Sequence, residues 1–144
     1  MEIGIFVPIG NNGWFVRGSA PARFDQQPIE AQHMMDALLE VYQLTLEEPW
    51  LEDARRCFEW FLGRNDLQQA IADDTTGACR DGLNPDGVNQ NQGAESTLAW
   101  LHASLRLTIA LAATASEDHT TADDLRRPAH PSSPATARVV GTTH

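Results

Sequence analysis

Two polar stretches hold most of the side chains able to do chemistry. The first is Ala22-Arg23-Phe24-Asp25-Gln26-Gln27-Pro28-Ile29-Glu30-Ala31, and the second is Cys79 to Thr97, CRDGLNPDGVNQNQGAEST. Together they carry the carboxylates Asp25, Glu30, Asp81 and Glu95 and the guanidinium groups of Arg23 and Arg80. Glycoside hydrolysis uses two carboxyl groups, ~5–5.5 Å apart for retention and ~6.5–9.5 Å for inversion. Asp81 with Glu95, or Asp25 with Glu95, can supply such a pair, so Asp25, Asp81 and Glu95 are the catalytic candidates. The same acids also suit helix capping and loop bracing. Asp25 stands at capping distance from Pro28, and Glu30 and Glu95 fall in first helical turns, where the dipole favours negative charge. Arg23 and Arg80 can grip a carboxylate or phosphate bidentately, or pair with Asp25, Asp81 or Glu95. Gln26, Gln27, Asn89, Asn91 and Gln92 are neutral and offer both donors and acceptors, as sugar hydroxyls require. Trp14 and Trp100 are candidates for stacking on a sugar face, whereas Trp50 and Trp60 fit core or hairpin packing. His33 and His102 read as core or surface residues of helices. No Ser-His-Asp or Cys-His order stands out.

These groups need elements to position them. Pro28 suits a first helical position, because its missing N–H has no partner there anyway. Ile29, Met34, Leu38, Val41 and Tyr42 then recur at helical spacing, widened by Ala31, Met35 and Ala37. The pattern predicts a helix over 28–45 with few charges, suited to burial on most sides. Pro49 opens a second helix, over 49–63, closed by Gly63. It sets Trp50, Ala54, Cys57, Phe58, Phe61 and Leu62 on one face and Glu52, Asp53, Arg55, Arg56 and Glu59 on the other. The short link makes these two helices an antiparallel hairpin. A third helix is expected over 94–113. Leu98, Leu101, Leu105, Thr108 and Ile109 form its main face, and Trp100, Leu107 and Leu111 make it apolar nearly all round. On this pattern the first and third helices are inner and the second lies outside. Met1 to Ile9 reads as a short strand closed by a turn. Residues 73–93 form a loop longer than usual, and such loops are typically functional or disordered.

Composition narrows the partners. The chain has 144 residues and a net charge of −10, from 20 acids against 10 bases, all of them Arg. An acidic surface without a basic cluster argues against nucleic acid and anionic membranes. No run reads as a membrane span, and no basic leader precedes Ile3, so a cytoplasmic location is expected. Cys57 and Cys79 fit free buried thiols in a reducing compartment. His119, His130 and His144 lack ligand spacing, and neither a metal nor a cofactor is expected. From Thr114 onward Ser, Thr, Pro and Ala dominate without a hydrophobic period, which predicts a disordered tail over 114–144 behind a helical domain of 1–113.

Three segments in order, ARFDQQPIEA, ARRCFEWFLGRNDL and GACRDGLNPDGVNQNQGAEST, resemble the C-terminal helical domain found behind many bacterial glycosyltransferases of the GT-B type. The resemblance covers about Trp14 to Leu111. FDQQP and NQNQGAEST in this order and spacing are its more specific motifs. It implies an all-α fold, a partial α/α-toroid related in architecture to six-hairpin glycosidases and N-acylglucosamine 2-epimerases. The chain departs from that family in three ways, one being that residues 71–77 read IADDTTG without the aromatic residue expected there. It holds only a fraction of a full toroid, and it lacks the nucleotide-sugar-binding domains, with no Gly-rich phosphate loop after a strand. MEIGIFVPIGNNGW also resembles the opening of luciferase-like pyrimidine monooxygenases. That similarity stops at Trp14, and no alternation of strand and helix follows as a barrel requires, so it is read as accidental.

What the toroid resemblance implies is a carbohydrate-related accessory domain that does not catalyse by itself. Its partners would be a sugar or glycan ligand and a glycosyltransferase catalytic domain or a second copy. The alternatives are a sugar-processing enzyme using the loop carboxylates and an oligomerising remnant. If the first and third helices run parallel, FDQQP and NQNQGAES converge on one rim with CRDG above. Arg23, Asp25, Gln26, Gln27 and Glu30 then meet Arg80, Asp81, Asn89, Asn91, Gln92 and Glu95 as ligand-binding residues.

Overall fold

The structure, a computed structural model, describes residues 4–13 and 15–126, with side chains as far as Ala115. The described chain is mostly helical: α1 is Pro28–Thr45, α2 is Glu48–Phe61 and α3 is Ala94–Arg126. A small antiparallel pair, β1 (Leu83–Asn84) and β2 (Gly87–Val88), lies in the long loop before α3.

Helix α1 begins at Pro28 as expected, with Gln27 extended in front of it. The Glu30 carboxylate accepts the Gln27 N–H at 3.2 Å, which satisfies a donor that the first turn cannot. At the other end Leu46 turns left-handed (φ 57°) and returns its N–H to the Tyr42 carbonyl. This reversal sends α2 back along α1.

The order of the helices corrects one expectation. Helix α1 is the central element, packed against both α2 and α3, while α2 and α3 touch less. Helix α2 does not lie outside: only Glu48, Pro49 and Glu52 on it are exposed. Its charged face is partly covered, because the segment Gly4–Val7 lies over Asp53, Arg56 and Cys57. Its C-terminus is wrapped by the following loop, where the N–H groups of Ile71 and Ala72 bond the Phe61 carbonyl at 3.0 and 3.2 Å. Hydrophobic periodicity detects which residues of a helix are apolar, not which loops later fold over it.

Helix α3 corrects a second expectation. It buries Ser96, Ala99, Trp100, Ala103, Leu107 and Ala110, and it exposes Leu98, Leu101, Leu105, Thr108 and Ile109, the face expected to point inward. Trp100 decides the orientation. Its ring stacks on Phe58 at 5.2 Å and approaches Phe61 at 5.5 Å, so the largest side chain of the helix joins the core. An 18-residue stretch within Ala94–Ala115 reaches a mean hydropathy of 1.3, so α3 is long and apolar enough by composition to cross a membrane.

Two boundaries also differ. Helix α3 runs to Arg126, past the expected end at 113. Ala110, Ala112, Ala113 and Ala115 favour helix across the expected end, even where the apolar period fades. The remainder of the expected tail, 127–144, lies outside the described residues. The expected strand is absent over residues 4–9. There the chain forms no strand pairing, and the turn beyond it is tied down by Gly10 N–H to the Ala22 carbonyl and Asn11 N–H to that of Asp25.

Candidate functional site

The two polar loops do meet. Gln26 and Leu83 exchange backbone hydrogen bonds of 3.1 and 2.9 Å, which fastens the start of α1 to β1. Gly82 makes this approach possible. Its φ is +141°, and a Cβ there would lie 2.1 Å from the Gln26 carbonyl oxygen. The preceding residue, Asp81, reaches the start of α3. Its carboxylate accepts the Gly93 N–H at 2.7 Å, the Asn91 side-chain amide and the Ser96 hydroxyl. Both helix N-termini therefore lie at one end of the molecule.

Ion pairs along the seam show that α1 and α3 run in the same direction, since rising numbers on one meet rising numbers on the other. Gln32 and Asp36 meet His102, and Asp36 and Glu40 meet Arg106. The expected parallel arrangement is thus present.

Within this rim, however, most of the expected ligand-binding side chains are occupied by the protein. Gln26 is fully buried: its Oε1 accepts the Trp60 indole N–H at 2.9 Å, and its Nε2 donates to the Arg23 carbonyl at 2.8 Å and to Asp66 at 2.6 Å. The Arg23 guanidinium also pairs with Asp66, an acid from the α2 side that the sequence reading passed over. Gln27 and Glu30 close the start of α1. Burial, with some help from Asp25, holds the Glu30 carboxyl above its usual range, although the Gln27 N–H opposes this. Asp25 itself is left-handed (φ 58°) and serves the fold through its carbonyl, which accepts from Asn11. Arg80 donates to the Gln90 carbonyl. Asn89 accepts the Asn91 N–H at 2.9 Å in a local turn. Asp81 is held below the ordinary carboxylate range by the Ser96 hydroxyl, then by Gly93 and Asn91, so it works as a cap for α3. Gln92 and Glu95 are exposed at the rim.

The expected sugar platforms fare similarly. Trp100 is core, not a stacking surface. Trp60 is core and Trp50 braces the α1–α2 hairpin through Glu47, as expected. Trp14 lies outside the described residues.

What remains open lies just below the rim, between α1 and α3. A groove of about 520 Å³ is lined by Ile29, Gln32, His33, Asp36, Glu95, Leu98, Ala99 and His102. Of these only Glu95 was a candidate from sequence. One wall carries a polar network. Gln32 donates to Asp36 and lies 3.1 Å from His102 Nδ1, and Arg106 Nε donates to Asp36 at 3.2 Å. Ile29, Leu98 and Ala99 give the groove an apolar bed. The legible signal was the complementary charge at helical spacing, Asp36 and Glu40 on α1 against Arg106 on α3, which places His102 and His33 at the same seam.

A second cavity, about 350 Å³, lies under Gly4–Val7 against Met34, Leu38, Asp53, Arg56 and Cys57. Its cation is engaged by Asp53, and burial pushes the Cys57 thiol up to about 12, which leaves no nucleophile there. Cys79, also free and buried, is pushed up to about 12 for the same reason. Among the described residues no three His, Cys, Asp or Glu side chains gather closely enough to hold a metal ion.

No protein-family model matches this sequence, and no curated protein matches it.

Proposed function

We propose that the chain is a carbohydrate-related accessory domain, a segment of α/α-toroid type allied to a glycosyltransferase, that holds a hydroxyl-rich ligand and does not catalyse. The observation that carries this reading is the groove at the shared end of two parallel helices. It combines an apolar bed of Ile29, Leu98 and Ala99 with polar groups from Gln32, His33, Asp36, Glu95 and His102. Sugars present this same mixture, C–H faces edged by hydroxyls that both donate and accept. The resemblance of FDQQP and NQNQGAEST to the helical domain behind GT-B glycosyltransferases supports the choice of ligand class and of catalytic partner. The use of Asp81 and Glu30 as caps favours a passive role over hydrolysis, because neither offers a free carboxyl group to a glycosidic bond.

Calorimetric titration of the purified chain with monosaccharides, disaccharides and nucleotide-sugars tests this reading. The expected result is weak binding, Kd of ~1 mM, as befits an open groove. Glu95→Gln and His33→Ala should weaken it several-fold, while Arg55→Ala on α2 should leave it unchanged. Absence of heat with every sugar, or turnover of a glycoside, would overturn the passive sugar-binding reading.

A further inference from the structure

The cavity under Gly4–Val7 joins an apolar hollow to a buried polar atom that the fold leaves unpaired. It measures about 350 Å³ and lies between α1 and α2, at the lower end of the size range of small-molecule pockets. Phe6, Val7, Met34 and Leu38 give it apolar walls, and Asp53 and Arg56, one turn apart on α2, bring charge to it. The Arg56 Nη1 donates to Asp53, but its Nε is buried without a hydrogen-bond partner. It is the one buried side-chain nitrogen or oxygen in that condition among the described residues. Nearly every buried donor in a folded protein finds an acceptor, and one that does not is costly.

The covering segment suits an entrance. Its far end is fixed at Gly10, where a Cβ would lie 1.9 Å from the Phe24 carbonyl oxygen and the N–H bonds the Ala22 carbonyl. Residues 4–7 form no backbone hydrogen bond among the described residues, and Phe6 packs against the core through its side chain. Lifting this segment breaks no backbone ladder, so local opening is cheap compared with unfolding.

Charge decides the head group of an occupant. Arg56 and Asp53 offset each other, and the Cys57 thiol beside them stays neutral because burial pushes it up to about 12. A carboxylate reaches Arg56 only by standing against Asp53, and an ammonium group meets the opposite conflict. A hydroxyl meets neither. Its oxygen accepts from the Arg56 Nε, and its proton suits the Asp53 carboxylate.

We propose that this cavity is a binding site for a small neutral amphiphile, an alcohol with an apolar body. The hydroxyl oxygen accepts the Arg56 Nε–H, and the apolar body lies between Phe6 and the α1 side chains Met34 and Leu38. The site is separate from the α1/α3 groove and does not depend on that groove holding a sugar.

Calorimetric titration of the full chain with octanol tests this, with octanoate as the charged counterpart and amide chemical shifts to locate the ligand. The expected result is saturable binding of octanol, weaker or absent binding of octanoate, and perturbations at Ile5, Phe6, Arg56 and Cys57. Arg56→Lys keeps a cation beside Asp53 but removes the Nε–H, and should weaken octanol roughly tenfold, the worth of one hydrogen bond to a charged donor. Met34→Trp fills the cavity from a position that is 49% exposed, and should abolish binding while the circular dichroism spectrum stays helical. Arg56→Lys carries the test by itself if Met34→Trp misfolds. Glu95→Gln, in the other groove, should leave octanol binding unchanged. No saturable heat with octanol, tighter binding of octanoate, affinity unchanged by Arg56→Lys, or perturbations confined to His33 and His102 would each overturn the proposal.

Discussion

Replacing Gln26 by Leu keeps the bulk of the side chain and removes three hydrogen bonds at one buried point. The Trp60 indole N–H, the Arg23 carbonyl and one oxygen of Asp66 each lose a partner. Trp60 has no exposed surface, so its N–H cannot turn to water instead. A buried donor or acceptor left unmade costs about 1–3 kcal/mol. Asp66 retains Arg23, and the Arg23 carbonyl lies in an exposed residue, so the loss is dominated by the indole and lies near 2–4 kcal/mol. That is a large part of an ordinary domain's ~5–15 kcal/mol. Urea unfolding followed by tryptophan fluorescence measures it, with the denaturant slope unchanged if the variant still folds to the same surface. Trp60→Phe supplies the control. Phe has no N–H to strand, so Gln26→Leu should cost about 1–2 kcal/mol less in that background. A cost below ~1 kcal/mol, or additivity of the two changes within ~0.5 kcal/mol, would refute the account of Gln26 as the polar pin between α1 and α2.

Three further outcomes follow from the rim. Asp81→Asn should cost about 1 kcal/mol at neutral pH through the lost α3 cap. Because the Asp81 pKa is depressed, its stabilisation is present above the ordinary carboxylate range and disappears as pH falls through the folded value. The variant should therefore show a flatter acid limb in urea unfolding. Glu30 has the opposite sign. Its raised pKa means that folding favours the protonated form, so its contribution falls as pH rises from the ordinary value through the raised one. Glu30→Gln keeps an acceptor for Gln27 and should remove that fall, with equal or slightly greater stability at pH 7. Gly82→Ala drives a Cβ to 2.1 Å from the Gln26 carbonyl and should cost more than ~2 kcal/mol in thermal unfolding.

The helices were legible in the sequence because their starts carry chemistry. Pro28 and Pro49 mark two N-termini, and the Gly93-Ala94 boundary marks the third. Their packing was less legible. Leu98, Leu101, Leu105 and Ile109 look like a core stripe on any periodicity test, and only the placement of Trp100 reveals that the core takes the opposite face. The convergence of the two loops was also foreseeable once α1 and α3 were taken as parallel. What spacing does not reveal is how many polar atoms an ordered loop consumes on itself. Asp81, Gln26 and Arg80 are satisfied by partners distant in sequence or by backbone carbonyls. The polar groups of the groove lie instead on helix flanks, at His33, Asp36 and His102, where a lone histidine or acid carries no sequence signal by itself.

Amide chemical-shift mapping during a sugar titration tests the central claim most directly, because it reports where a ligand binds as well as whether it binds. The account predicts perturbations at Gln32, His33, Asp36, Glu95, Leu98 and His102, along both walls of the α1/α3 groove. Perturbations confined to the 79–92 loop, or to α2 around Asp53 and Arg56, would contradict it.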